Sequence, residues 1–134
     1  MSTVLNPYIS FQGDARDALD FYRGVFGGDV TVSTYGESGM PDDAVKDQIM
    51  HGQLLTPNGL TLMCSDNPPG MSYEHGTAIS VSLSGDDEAE LTGYWDKLAV
   101  DAHETMGLDK APWGDTFGML TDKFGIRWMV NIAG

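Results

Sequence analysis

Apolar and polar positions follow one another along the chain in a pattern that predicts two successive blocks of the same elements. The first block is predicted to hold a strand at 8–11, a helix from Asp14 to Gly27-Gly28, and strands at 30–35, 48–55 and 60–64. The second is predicted to hold a strand at 77–83, a helix that buries Leu91, Tyr94 and Leu98, a strand near 102–106, and hairpin strands at 117–121 and 126–132. Each block therefore reads as β–α–β–β–β, which predicts an α+β fold.

A repeat in the sequence supports this division. Residues 51–66 lie over residues 117–132 without a gap, so that Gly52 falls on Gly118 and Met63 on Met129. The first parts of the two blocks also match. Ile9-Ser10 falls on Ile79-Ser80, and the second block then has two extra residues before its helix, so that Gly13, Asp14, Leu19 and Tyr22 fall on Gly85, Asp86, Leu91 and Tyr94. A duplicated unit is expected to pack against its copy, and the groove between two copies is a natural place for a ligand.

Local signals set the boundaries of the predicted elements. Asp14 is expected to cap the first helix, whose buried face is expected to hold Ala15, Ala18, Leu19, Tyr22, Val25 and Phe26. Asn58-Gly59 predicts a tight hairpin turn with positive φ angles. Residues 36–46 are predicted to be a mobile loop. Within a single domain over 1–134, we expect module one at about 4–66, a linker at 67–76 and module two at about 77–134.

Charge and cysteine content exclude several classes of partner. The chain has 134 residues and a formal net charge of −13, which makes nucleic acid and anionic membranes poor partners.

Cys64 is the one cysteine, so no internal disulfide can form, and its apolar neighbours predict a core position. The N-terminus lacks the features of a signal peptide and no apolar stretch has the length of a membrane span, so a cytoplasmic protein is expected.

Several short motifs resemble one known superfamily along nearly the whole chain. They are Pro7-Tyr8-Ile9-Ser10-Phe11, Ala18-Leu19-Asp20-Phe21-Tyr22 with Val25-Phe26-Gly27, Met50-His51-Gly52, Trp113-Gly114-Asp115, and Asp122-Lys123-Phe124-Gly125-Ile126-Arg127-Trp128. With the tandem βαβββ pattern they resemble the vicinal oxygen chelate superfamily (glyoxalase, bleomycin resistance protein and extradiol dioxygenase), and its PhnB-like branch in particular. The resemblance implies two modules that form a U-shaped, half-barrel mixed sheet around a cavity, usually in a homodimer.

The resemblance also implies where a metal would be held. Metal enzymes of this superfamily place His or Glu on the first and fourth strands of each module. These positions fall near Pro7 or Tyr8, near Thr77 or Ala78, and at Met63 and Met129. None of these is a His, Asp or Glu, and a thioether is a poor ligand for hard or borderline divalent ions. We therefore expect no metal and no cofactor.

The candidate ligand-binding residues are Tyr8, His51, Gln53, Met63, Trp113, Phe117, Arg127 and Met129. His51 fits equally well as a ligand contact or as a strand histidine bonded to a neighbour. Arg127 shares a strand face with Met129, where it would hold a carboxylate or phosphate, or else pair with a surface acid. Aromatic rings at 113 and 117 would stack on a planar ligand or close the end of the barrel. His75 and His103 are expected to have no functional role.

Three hypotheses about function follow. The first is a metal-independent homodimer that binds an apolar or aromatic small molecule. The second is a divalent-metal lyase, isomerase or dioxygenase with a displaced site that includes His51. The third is a structural or regulatory dimer whose cavity is filled by side chains.

Overall fold

A computed structural model describes residues 3–39, 45–68 and 70–134. The chain divides into two compact units, Met1–Glu74 and His75–Gly134, and each is described by itself. Both units contain one helix and one four-stranded mixed sheet. This confirms the predicted α+β class and the βαβββ order of each block.

The N-terminal unit contains β1 (Tyr8–Phe11), α1 (Ala15–Phe26), β2 (Asp29–Thr34), β3 (Ile49–Leu55) and β4 (Thr61–Asp66). Its strands lie in the order β1-β4-β3-β2. β1 runs parallel to β4, and the other neighbouring strands are antiparallel. The unit follows the predicted strands to within one or two residues.

The C-terminal unit contains β5 (Val81–Gly85), α2 (Glu88–Leu98), β6 (His103–Lys110), β7 (Thr116–Thr121) and β8 (Arg127–Ile132). Its strands lie in the equivalent order β5-β8-β7-β6, again with one parallel pair, β5 and β8. Two predicted bounds were wrong. The first strand begins at Val81 instead of residue 77, and β6 extends four residues past the predicted end at 106.

Each helix packs on one face of its sheet through an apolar stripe. In α1 the buried side chains are Ala15, Ala18, Leu19, Tyr22 and Val25, as predicted, while Phe26 is only partly buried. In α2 they are Leu91, Trp95 and Leu98. The prediction that Tyr94 is buried on the inner face of this helix was therefore wrong. Tyr94 is half-buried, and its hydroxyl donates to Glu90 Oε1 at 2.8 Å, because a polar hydroxyl finds its partner most easily near the helix surface.

The matched glycines explain how the helices approach the sheets. A Cβ at Gly52 would meet the end of the Leu19 side chain. A Cβ at Gly118 would lie 2.8 Å from the Trp95 ring and 2.9 Å from the Cα atom of Leu108. Both glycines are therefore needed for close packing between helix and sheet.

The two hairpin turns repeat the same hydrogen bonds. In the first turn the Leu60 N–H donates to Thr56 Oγ1 at 2.9 Å, and in the second the Ile126 N–H donates to Asp122 Oδ1 at 3.0 Å. Gly59 and Gly125 have φ angles of 88° and 87°. Asn58 does not have a positive φ, so the prediction for Asn-Gly holds for the glycine alone. The two segments that match in sequence, 51–66 and 117–132, thus form turns with equivalent hydrogen bonds.

The N-terminus of α1 is capped from a distance. Asp14 makes no side-chain capping bond, contrary to the prediction. Instead, Oδ1 of Asp66, at the end of β4, accepts from the N–H groups of Gly13 at 2.8 Å and Ala15 at 3.0 Å. Its Oδ2 accepts from the Ile49 N–H at 2.8 Å. Asp66 is 1% exposed, so one buried carboxylate joins the helix start to two strands.

Some expectations fall on parts of the chain outside the described residues. The predicted mobile loop 36–46 includes 40–44, the linker 67–76 includes residue 69, and the N-terminal segment includes residues 1 and 2. Among the described residues, neither helix combines the length and the apolar character that a transmembrane span requires.

Candidate functional site

Each sheet has a second face that points away from the helix of its own unit, and we call it the helix-free face. On the N-terminal sheet this face carries Tyr8, His51, Gln53 and Met63. The register places Met63 directly between Tyr8 on β1 and Gln53 on β3, and places His51 opposite Ser33 on β2. Their strand neighbours Gly52, Leu54, Leu62 and Cys64 are buried toward α1.

Tyr8 and His51 form a polar pair on this face. The Tyr8 hydroxyl lies 3.3 Å from Nδ1 of His51, and it donates the hydrogen bond when that nitrogen carries no proton. The two rings are tilted, with centroids 5.7 Å apart. The pair therefore offers a hydroxyl and an imidazole side by side, beside the amide of Gln53 and the thioether of Met63.

A buried tyrosine, Tyr35, lies at the end of β4. The Tyr35 hydroxyl donates to the backbone oxygen of Asp66 at 2.7 Å. Burial raises the pKa of Tyr35, and the negative charge of Asp66 raises it further. The phenol therefore stays protonated and remains a donor over the ordinary pH range.

On the C-terminal sheet the helix-free face carries Arg127 and Met129 from β8 and Phe117 from β7. Alternation places their neighbours Trp128 and Val130 toward α2, where both are buried. Met129 lies opposite Met119 on β7, and Met119 lies opposite Met106 on β6. The sequence analysis missed Met106 and Met119, although the repeat itself places Met119 on the candidate residue Gln53.

A groove of about 500 Å³ opens beside Phe117 and is lined by residues 106–113 and Phe117. Trp113 lies at its rim with 63% of its surface exposed, and its ring meets the ring of Phe117 edge-on at a centroid distance of 5.7 Å. This volume is within the range of small-molecule pockets, roughly 300–1,000 Å³. The groove therefore presents aromatic edges and faces to any molecule that enters it.

Asp115 holds the loop that carries Trp113. Its carboxylate accepts from the amide of Asn131 at 3.0 Å and from the backbone N–H of Gly134 at 3.0 Å. The hydrogen bond from Asn131, the one from Gly134 and the nearby charge of Lys110 lower the pKa of Asp115. The Trp-Gly-Asp motif is thus anchored to Asn131 on β8 and to Gly134, two residues after the end of that strand.

Three further basic side chains are Arg127, His75 and His103. The guanidinium of Arg127 donates to the backbone oxygen of Thr77. An ion pair joins Arg23 and Asp20, whereas the partner found for Arg127 in the described part of the chain is this carbonyl oxygen. His75 Nε2 lies 2.7 Å from the backbone oxygen of Gly125, and His103 is exposed on β6.

The strand positions that would hold a metal can now be compared by register. Tyr8 is the Cα partner of Met63, and Ser82 is the Cα partner of Met129. The expected copy of Tyr8 at Thr77 or Ala78 was therefore wrong, because β5 begins later than the sequence pattern indicates. In the described parts of the chain, no three His, Cys, Asp or Glu side chains are grouped closely enough to hold a metal ion.

The candidate residues thus form two sets, one in each unit. Tyr8, His51, Gln53 and Met63 share the N-terminal helix-free face. Phe117, Arg127 and Met129 share the C-terminal one, with Trp113 at the rim of the groove. The fold explains the equivalence of the sets, since His51 and Phe117 occupy matching positions of the repeat, as do Met63 and Met129.

Comparison with known proteins shows to which family this chain belongs. The model of the Glyoxalase/Bleomycin resistance protein/Dioxygenase superfamily matches residues 4–130. The crystal structure of protein PA1353 from Pseudomonas aeruginosa is 38% identical, with a TM-score of 0.88 and 98% of each chain covered. A Bacillus cereus structure described as a putative 3-demethylubiquinone-9 3-methyltransferase, PhnB protein, is 27% identical, with a TM-score of 0.77, over 98% of this chain and 100% of that one. Protein YjdN of Escherichia coli is 28% identical over 96% of this chain and 95% of its own length.

Proposed function

The chain belongs to the glyoxalase/bleomycin resistance protein/dioxygenase superfamily, and from this premise we propose that it binds a small organic molecule without a metal ion, as a homodimer of the PhnB-like branch. The branch is supported by the likeness to the Bacillus cereus PhnB protein and by the motifs around His51, Trp113 and Asp122. The methyltransferase description belongs to that protein. The present chain has no Gly-rich strand-to-helix loop of the kind that binds a methyl-donor nucleotide.

The groove beside Trp113 is the observation that carries the proposal. A large, exposed indole is costly to leave in water, and here it is held in a fixed place by the edge contact with Phe117. The Asp115 anchor keeps the loop in position before any ligand arrives. A preformed aromatic wall favours a planar, apolar or aromatic ligand, because little ordering is needed on binding.

The N-terminal helix-free face supplies hydrogen-bonding groups. Tyr8 and His51 offer a donor and an acceptor, and Gln53 offers both. We assign this face, as a surface of the N-terminal unit by itself, to hydrogen bonding with a polar small molecule. The Met63 thioether between Tyr8 and Gln53 adapts to different ligand shapes.

Independence from divalent metals is supported by the chemistry of the four matched positions. They are occupied by Tyr8, Met63, Ser82 and Met129. The N-terminal pair offers a phenol and a thioether, and the C-terminal pair offers a hydroxyl and a thioether. Neither pair contains a carboxylate, an imidazole or a thiolate, the usual protein ligands of Mg²⁺, Mn²⁺ and Zn²⁺.

The homodimer is supported by apolar side chains that the single chain leaves in water. Leu5 is fully exposed, and Val4 and Ile79 are largely exposed. We propose that a second copy of the chain covers these side chains, since their burial removes apolar surface from water. Light scattering on the purified protein should give twice the mass of one chain, and the mass of a single chain would contradict this part of the proposal.

The binding proposal is tested by fluorine NMR on protein with fluorotryptophan incorporated. Of the three tryptophans, Trp95 and Trp128 are 5% and 2% exposed and Trp113 is 63% exposed. Indole, added as the planar probe, should shift the Trp113 resonance in a saturable way, and cyclohexanol should not. Shifts that never saturate, or that occur equally at all three resonances, would reject the groove as the binding site.

A matched pair of variants completes the test. Phe117→Leu removes the ring beside Trp113 and should weaken indole binding about fivefold or more, since an aromatic pair contributes about 1 kcal/mol. Phe124→Leu removes a ring from the turn after β7 and should leave indole binding unchanged. Equal affinities in wild type and Phe117→Leu would contradict the proposal.

A further inference from the structure

Three methionines lie side by side across the C-terminal sheet. Met129 on β8 is the Cα partner of Met119 on β7, and Met119 is the Cα partner of Met106 on β6. All three belong to the helix-free face, opposite the side on which Trp128 and Leu120 are buried. We call Met106, Met119 and Met129 the methionine row.

The spacing of the row allows three sulfur atoms to converge. Residues directly opposite on neighbouring strands have Cβ atoms about 4.5–5.5 Å apart. A methionine side chain is unbranched and rotates about three bonds, so the outer two can lean toward Met119. Met119 and Met129 are partly buried and Met106 is 51% exposed, so an ion can reach the row from the side of β6.

The backbone of β6 is irregular on both sides of the row. The register shifts between Glu104 and Met106, and again between Met106 and Asp109, yet the pairing of Met106 with Met119 is kept. Irregularities of this kind redirect a side chain and are common beside functional sites. Here they isolate one methionine of β6 and hold it opposite Met119, the middle member of the row.

The chemistry of three thioethers selects the type of ion. Thioether sulfur is a soft ligand that favours copper(I), whereas the divalent ions of the superfamily's enzymes need nitrogen or oxygen. The chain's net charge of −13 raises the local concentration of any cation. Cys64 takes no part, because it is fully buried against α1 in the N-terminal unit.

We propose that the methionine row is a binding site for copper(I), with the sulfur atoms of Met106, Met119 and Met129 as ligands. This inference goes beyond the proposed function, which needs no ion. It predicts one copper(I) ion per chain, held by sulfur alone.

The test is an anaerobic competition between the protein and bicinchoninate for copper(I), followed by the colour of the copper–bicinchoninate complex. Loss of an outer-shell partner already weakens metal sites about 10–100-fold, so loss of a direct ligand in Met119→Leu should weaken binding at least tenfold. Met106→Leu, at a half-exposed position, should weaken it likewise without disturbing the core. Met71→Leu, an exposed position in the N-terminal unit, should bind as wild type does.

Several outcomes would overturn the inference. They are failure of the wild-type protein to take copper(I) from bicinchoninate, wild-type affinity in both Met119→Leu and Met106→Leu, and loss of binding in Cys64→Ala. X-ray absorption of the loaded protein should show sulfur neighbours only, and nitrogen neighbours would also overturn it. Indole binding at Trp113 is measured in copper-free protein, so the two proposals stand or fall separately.

Discussion

Asp122 is charged and yet only 4% exposed, and the hydrogen bonds of its carboxylate explain why the hairpin motif has this composition. Oδ1 accepts from the N–H groups of Phe124 at 2.8 Å and Ile126 at 3.0 Å, and Oδ2 accepts from the Trp128 indole at 2.8 Å. The Asp-x-Phe-Gly-x-x-Trp pattern is therefore a structural device that closes the turn and fixes a core tryptophan.

Asp122→Asn tests this assignment. The amide oxygen can replace Oδ1, but the amide NH₂ then faces the indole N–H, and two donors are left opposed. We expect a loss of about 1–3 kcal/mol in the free energy of unfolding, measured by urea denaturation. Asp96→Asn, on the exposed side of α2, should change it by less than about 0.5 kcal/mol. Equal stabilities of the two variants would show that the Asp122 bonds are not needed.

Asp115 predicts a dependence on pH. Its pKa in the folded protein is lowered from an ordinary value of 3.8, so the unfolded state binds the proton more tightly. The stabilisation by the Asp115 carboxylate is therefore fully present above pH 3.8 and is lost as the pH falls through the lower, folded pKa. The difference in melting temperature between wild type and Asp115→Asn should be constant at neutral pH and should shrink in acid. A difference that grows in acid would contradict this sign.

Single residues also set the limits of the sequence analysis. The buried role of Cys64 and the shared face of Arg127 and Met129 could be predicted, because both depend on strand alternation alone. Asp66 could not, since its bonds to Gly13 and Ala15 join residues far apart in the sequence. A cap supplied from another strand leaves no local signal at the helix that it caps.

At the scale of elements, the two helices meet their sheets through glycines that the repeat had already matched. Leu19 lies over Gly52, and Trp95 lies over Gly118. The Trp95 ring and the Leu108 backbone are rigid, whereas the end of Leu19 is flexible. The two positions should therefore respond differently to an added methyl group.

Gly118→Ala should lower the free energy of unfolding by about 1–3 kcal/mol, because overpacking forces the Trp95 ring or the backbone of β6 to move. Gly52→Ala should cost less, since Leu19 can change rotamer. Gly24→Ala is the control: it lies in α1 with no atom within 4 Å of the added Cβ, and it should stabilise by about 0.5–1 kcal/mol. Thermal or urea unfolding measures all three. A neutral Gly118→Ala would contradict the packing described for α2.

Most elements could be predicted because period-two and helical patterns are strong in this chain. The exceptions have physical causes. In α2, Trp95 fills the space over Gly118 and displaces the predicted Tyr94 from the core. The start of β5 could not be read from the sequence. The sequence match places Ile9 on Ile79, whereas the register with β8 makes Leu83, four residues later, the structural equivalent of Ile9.

For the whole molecule, the duplicated βαβββ order and the family could be predicted, while the candidate site could be predicted only in part. The repeat identified Met63 and Met129 as equivalent positions, and the pairing with Tyr8 and Ser82 agrees with that. It did not reveal the methionine row or the groove, because both depend on which residue of β6 lies opposite β7. The irregular register of β6 breaks the alternation from which such neighbours are normally inferred.

The central claim is that this protein binds a small organic molecule without a divalent metal. The most direct measurement is the fluorine NMR titration of Trp113 with indole in protein stripped by a chelator, repeated after addition of Mn²⁺ or Zn²⁺. We expect the same saturable shift and the same Kd in all three samples, since the groove contains aromatic and apolar walls and needs no ion. Saturable binding that occurs only after the ion is added would contradict the account and would favour the metal enzymes of the superfamily as the model for this chain.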